Sequence, residues 1–174
     1  MKEMPRPIFL ETERLVLRDK RADDLDFIAA LYADPRVMRW IGDGTTYGRD
    51  EVEARLGRAM AFENEPGHER WDAFKIIERK SDGAPLGQGG MLRCEIDGEP
   101  DVEIGWWLAP AAWGHGYATE AALALRDWTD RRRLISLIQH GNERSVRVAE
   151  KLGERYEADV VVKGVTTRLF ALER

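Results

Sequence analysis

The chain carries one cysteine, Cys94, so no internal disulfide can form. A lone cysteine suits a reducing compartment, and a cytoplasmic location is expected. The three histidines, His68, His115 and His140, are scattered without a ligand spacing, so no metal is expected. No apolar run approaches the ~20 residues of a membrane span, so no membrane association is expected. The opening stretch MKEMPRPIFLETERL has no long apolar core and no small-residue cleavage pattern, and no signal peptide is expected. A basic excess is also missing: the net charge is −5, which argues against a nucleic-acid partner. Internal repeats and low-complexity tracts are absent.

What is present is ordinary in bulk and distinctive in one place. A length of 174 residues suits a single domain over 1–174 with a substantial core. The distinctive place is 103–122, EIGWWLAPAAWGHGYATEAA. Its start has the β-branched and aromatic content of a buried strand, over 103–108. Pro110 cannot serve a central strand, so the strand ends before it. Gly114 and Gly116 flank His115, where the backbone must turn sharply or approach a ligand closely. From Ala118 the residues favour helix, with Glu120 in the first turn, where a carboxylate suits the dipole. A helix N-terminus leaves N–H groups unpaired and attracts anions. A Gly-x-Gly before a helix is more often only a loop. No Gly-Lys-Ser/Thr follows, so it is not a P-loop, and Thr119 stands where a dinucleotide fingerprint needs its third glycine.

The rest of the chain reads as alternating elements. Residues 8–18 form a first strand. Residues 21–32 form a helix that Asp23 or Asp24 can cap. Asp34-Pro35 ends it, and a helical turn or loop covers 37–41. A polar helix spans 50–64. Strands follow over 71–78 and 86–93, the second weakened by Gly87, Gly89 and Gly90, which mark a bulge or a close approach. Residues 95–100 form a turn. The run 131–133, three arginines, suits a helix C-terminus and solvated surface. A short strand over 134–139, a helix from Asn142 to a Gly153 cap, and a hairpin of 156–162 with 166–172 complete the order. The order is α+β with one mixed sheet.

Two motifs together carry a family resemblance. Trp113-Gly114-His115-Gly116-Tyr117-Ala118 is similar to the acetyl-CoA signature Gln/Arg-x-x-Gly-x-Gly/Ala of the GNAT acetyltransferase superfamily, with Trp113 in the first place. Trp113 followed by GYATEA resembles the RimJ/RimL-type branch. Asn142-x-x-Ser145 and then Glu150-Lys151-Leu152-Gly153 is similar to the family's Asn-x-x-Ser…Glu-Lys-x-Gly-Phe helix. Two departures stand out: Ala149 where the family usually has an acidic tyrosine, and Glu154 where relatives carry Phe.

The resemblance implies a mostly antiparallel sheet with splayed central strands flanked by helices. It implies a pantetheine arm in the gap, paired with backbone near Trp107 and Leu108. It implies a pyrophosphate on the amides of Gly114, His115, Gly116, Tyr117 and Ala118, with acetyl-CoA as co-substrate. Trp113 packs near the cofactor or in the core, and Asn142 contacts the pantetheine or only caps its helix. The reaction implied is direct attack of a primary amine (a protein N-terminus, an amino acid or a small molecule) on the thioester. Glu103 is the candidate base, or else a paired strand-start carboxylate. Ser145 is the candidate acid, or else bonds its local backbone. Trp40, Asp43 and Tyr47 form an aromatic and acidic lip that suits a cationic amine, or else pack the loop. The alternative function is a non-catalytic acyl-CoA-binding or regulatory protein. The aromatic content permits a homodimer.

Overall fold

The computed structural model describes residues 8–174. A short hairpin opens it: β1 (Ile8–Glu11) and β2 (Leu15–Arg18). The sequence reads as one strand here, but Thr12 breaks it. Its hydroxyl accepts the Leu15 N–H at 2.9 Å, offering the backbone a turn in place of a ladder bond. Helices α1 (Leu25–Ala33), α2 (Pro35–Met38) and α3 (Arg49–Glu63) follow. Asp24 does not cap α1 through its side chain as expected. That carboxylate is buried and holds both Arg18 terminal nitrogens, at 2.9 and 2.7 Å, while Arg18 Nε reaches Glu78 at 2.7 Å. A buried guanidinium needs such partners, and the same carboxylate also accepts the Arg21 N–H at 2.8 Å, at the start of the short turn that leads into α1.

Strands β3 (Ala73–Arg79), β4 (Pro85–Ile96) and β5 (Glu99–Leu108) form a meander. Both β4 and β5 run longer than the composition suggests. Asp97 and Gly98, at φ 51° and 85°, close the hairpin in two residues, so the expected turn over 95–100 is mostly strand. After β5 come α4 (Tyr117–Trp128), β6 (Arg133–Gln139), α5 (Glu143–Leu152), β7 (Arg155–Val162) and β8 (Val165–Glu173). Lys163 and Gly164 make the last hairpin turn at φ 50° and 81°. The arginine run lies beyond the helix end. Arg133 opens β6 and binds Asp101, Glu157 and Glu173 at 2.8, 2.9 and 2.6 Å.

Among the described residues one eight-stranded sheet results, in the order β1-β2-β3-β4-β5-β6-β8-β7. Only β5 and β6 are parallel neighbours. Neighbouring residues point to opposite faces, as a pleat requires. Ile76 packs with Ile28, Val52 and Leu56 of α1 and α3, while Ile77 joins Ala121, Ala122 and Leu125 of α4. Both faces are therefore covered by helices. Among the described residues no helix is long and apolar enough to cross a membrane.

Candidate functional site

The site begins at a fork. Strands β5 and β6 register at one pair, Glu103 with Ile135. Beyond it β5 stays with β4, in unbroken register to Gly87 and Leu108. The fork therefore needs no bulge in that pairing. Gly87 is what lets the strands stay together: a Cβ there would lie 2.2 Å from the Trp107 carbonyl oxygen. The Ala109 N–H donates to the Leu86 carbonyl at 2.8 Å. Counting back by alternation, Gly105 and Trp107 bond toward β4, while Trp106 and Leu108 turn their backbone groups into the gap. The backbone groups of Trp107, expected to face the gap, therefore point to β4, and those of Trp106 face the gap together with those of Leu108. The Leu108 carbonyl already accepts the Trp113 indole N–H at 2.8 Å.

The glycine loop lies next to this gap. Gly114 and Gly116 both sit at φ 80°, the left-handed region that side chains avoid. Gly116 starts α4, so the first amides of that helix face outward. Arg14, which the sequence did not mark, braces the loop from behind. It donates to the His115 carbonyl at 3.0 Å, pairs with Glu120 at 2.6 Å, and stacks 4.7 Å over the Tyr117 ring. Thr12 also donates to Glu120, at 2.5 Å. Glu120, read as a dipole partner, is thereby the anchor between α4 and the first hairpin.

The N-terminus of α5 supplies the opposite wall. Asn142 caps it, accepting the Ser145 N–H at 3.3 Å. A cavity of about 610 Å³ joins these parts. Trp106, Trp107, Leu108, Trp113, Gly114, Gly116, Tyr117, Ala118, Asn142 and Ser145 all line it. Arg144, Arg147 and Lys151 add positive charge, and no carboxylate joins the lining. Arg144 stacks 4.6 Å over the Trp113 ring. Two helix N-termini and three cations make this wall suited to a polyphosphate. The buried Trp107 Nε1 has no hydrogen-bond partner among the described residues, leaving a donor in the wall for a ligand.

The other expected residues fall at varied places. His115 is exposed, does not line the cavity, and stacks on Tyr117 at 5.6 Å between centroids. Trp40 lines the cavity beside Val37 and Ile41. Asp43 and Tyr47 do not: Asp43 accepts the Thr45 N–H at 3.0 Å, and Tyr47 packs edge-on against Tyr32. These two serve loop packing. The Gln139 side chain donates to the Gly42 carbonyl and ties this loop to the end of β6.

Acid groups cluster at the fork. Glu103 is half-buried on the face that Phe74 and Trp107 share, and burial pushes its carboxyl up to about 7, with Lys163 pulling weakly the other way. Glu154, only 2% exposed, is pushed up to about 8 by burial, opposed by a Ser136 hydrogen bond and reinforced by the charge of Glu103. Ala149 is fully buried with Ile138, Val146 and Phe170, against Trp106. A tyrosine there would have to enter a closed part of the core against which Trp106 is packed. Cys94 sits near Glu103, and burial, then that charge, raise its thiol to about 11, so it stays protonated.

Comparison with known proteins agrees with this geometry. The family model for the acetyltransferase (GNAT) domain matches residues 14–155. The chain is 34% identical over 156 residues to the uncharacterized protein YkkB of Bacillus subtilis, covering 87% of each chain. It is 30% identical to the uncharacterized N-acetyltransferase YnaD of the same organism, over 85% of this chain and 83% of that one. An acetyltransferase structure from Agrobacterium tumefaciens superposes with a TM-score of 0.74 at 27% identity, covering 100% of this chain and 97% of that one. Two more distant structures share the fold. One is the spermidine N-acetyltransferase of Vibrio cholerae with CoA and spermine (TM-score 0.72, 16% identity, 93% and 96% covered). The other is RimL, a ribosomal L7/L12 α-N-protein acetyltransferase, with CoA (0.73, 15%, 96% and 97%). With the family model spanning most of the chain and the forked sheet beneath it, this protein belongs to the GNAT acetyltransferase family.

Proposed function

We propose that the chain transfers an acetyl group from acetyl-CoA to a primary amine by direct attack within a ternary complex. The observation that carries this is the cavity at the fork, which two helix N-termini and three cations face without a carboxylate. The residues present fit acetyl-CoA. The amides of Gly114, Gly116, Tyr117 and Ala118 hold the pyrophosphate, the backbone edges of Trp106 and Leu108 receive the pantetheine amides, and Asn142 borders the arm. When bound, acetyl-CoA supplies the thioester that the amine attacks.

The chain's own groups do the rest. Glu103, with a carboxyl near neutrality and outside the cavity lining, takes the proton of the incoming amine through water. The Leu108 N–H, turned into the gap, stabilises the oxyanion. Ser145 lines the cavity and donates toward the departing thiolate. The acceptor approaches past Trp40, whose ring suits a cationic amine. It is a protein N-terminus, an amino acid or a small-molecule amine, and the GYATEA motif after Trp113 favours the RimJ/RimL type.

Calorimetric titration with acetyl-CoA, against ATP and NAD as controls, is the test. Selective acetyl-CoA binding supports the reading, and equal or absent binding sinks it. A second reading, an acyl-CoA-binding protein without turnover, is favoured by Ala149 in place of the tyrosine acid. It predicts tight binding and no thiol release above hydrolysis with any amine of a panel.

A further inference from the structure

Glu154 has no role in the chemistry above, yet it is a carboxylate buried to 2% exposure just beneath the fork. Its Oε1 lies 3.1 Å from Ser136 Oγ, and its Oε2 has no hydrogen-bond partner among the described residues. Ser136 Oγ also lies 3.0 Å from the Ile104 carbonyl oxygen on β5. That carbonyl is one residue beyond Glu103, where the β5–β6 pairing stops. A side chain therefore bridges the two strands at the point where they part.

The hydrogen count decides what this bridge needs. Ser136 has a single hydroxyl proton and faces two oxygens. Both contacts are hydrogen bonds only if Glu154 is protonated and donates to Ser136, which frees the Ser136 proton for the Ile104 carbonyl. An ionised Glu154 takes the Ser136 proton, and the Ile104 carbonyl loses its side-chain donor. The unmatched Oε2 favours the neutral form, since an ionised oxygen buried without a donor is costly.

We propose that Glu154 is a positioning residue whose protonated form, acting through Ser136, latches β5 at the fork and keeps the gap shaped for acetyl-CoA. The proposal rests on the cofactor reading given above. The charge that reaches Glu154 from β5 is that of Glu103, and it favours the neutral form. From α4 comes Arg126, which donates to the Leu152 carbonyl at 3.0 Å and is paired with Asp127 at 2.7 Å. From β8 the contact to the neighbouring Gly153 is the apolar Leu172. No cation compensates an ionised Glu154 in these contacts.

The test is acetyl-CoA affinity by calorimetry from about pH 7 to about pH 9, for wild type, Glu154→Gln, Ser136→Ala and Glu103→Gln. With the Glu154 carboxyl at about 8, the latched fraction falls about tenfold over this range, and wild-type affinity falls with it. Glu154→Gln keeps a permanent donor, so its affinity stays flat at the wild-type value of pH 7. Ser136→Ala lacks the bridge, binds weakly throughout and loses the slope, which gives a second readout if Glu154→Gln fails to fold. Glu103→Gln retains a slope. A Glu154→Gln profile that tracks wild type overturns the latch, as does a slope that vanishes only in Glu103→Gln. No acetyl-CoA binding by wild type at any pH overturns the cofactor reading and this proposal with it.

Discussion

Arg14 Nε lies 2.6 Å from Glu120 Oε2, joining the turn between β1 and β2 to the first turn of α4 directly behind the glycine loop. The same guanidinium reaches the His115 carbonyl, so one side chain fixes both ends of the loop. Arg14→Met should lower acetyl-CoA affinity about five- to tenfold. Its stability cost should be at most about 1 kcal/mol, because the arginine is 45% exposed and solvent screens the pair. Calorimetry and thermal melts check both, and unchanged affinity would show the brace to be irrelevant to binding.

Gly116 sits at φ 80°, with Arg14 3.6 Å from where a Cβ would stand. Gly116→Glu places a carboxylate where the pyrophosphate is expected and strains the backbone by about 1–2 kcal/mol. Acetyl-CoA binding should vanish while circular dichroism still reports a folded chain. Wild-type affinity in this variant would refute the assignment of the loop.

Glu103 should govern the pH dependence of turnover. Its carboxyl titrates near 7 and acts as base only when ionised, so kcat/KM for the amine, measured at saturating acetyl-CoA, should rise with pH up to about 7 and then level. Glu103→Gln should lose that rising limb and most of the rate. A profile identical to wild type would remove Glu103 as the base.

Stability should also depend on pH, with a definite sign. Folded Glu154 titrates at about 8, above its ordinary value of 4.5. Below about pH 4.5 both states are protonated and no penalty exists. As pH rises toward 8, the unfolded chain ionises first, and stability falls by up to about 1.4 kcal/mol per pH unit. Glu154→Gln should therefore be more stable than wild type at neutral pH and show a flatter dependence. Denaturant melts at about pH 5 and pH 7 measure it, and a parallel pair of curves would count against a buried neutral acid.

Ala149→Tyr tests whether the missing family acid can be restored. The position is fully enclosed by Ile138, Val146, Phe170 and Trp106, so the larger ring should cost about 1–3 kcal/mol. It should not raise the rate. Ser145→Ala, on the cavity wall, should instead lower kcat about tenfold with little change in KM. A gain of turnover in Ala149→Tyr would show that the cavity, not the core, accepts that side chain.

Much of this was readable from residues alone. The paired motifs placed the glycine loop, α4 and the Asn142 cap, because a left-handed glycine, a helix start and a cap are local events fixed by a few neighbouring residues. Element order was legible for the same reason. The errors lay where a distant partner competes with a local preference. Asp24 caps the turn before α1 and also holds Arg18, Arg133 left the helix end to join a cluster of acids, and Thr12 split a strand. The Asp97-Gly98 turn was legible within the turn expected over 95–100, and its two-residue length needed the pairing of β4 with β5.

The sequence by itself determined the family, the order of elements and the glycine loop at the start of α4. Only the tertiary structure decided which backbone groups face the gap, that Arg14 braces the loop, that Ala149 is enclosed in the core against Trp106, and that Glu154 lies buried beneath the fork. The physical reason is separation along the chain. Strand register, burial and the pKa of a carboxylate are set by residues brought together from opposite ends of the sequence, and no short window contains both partners.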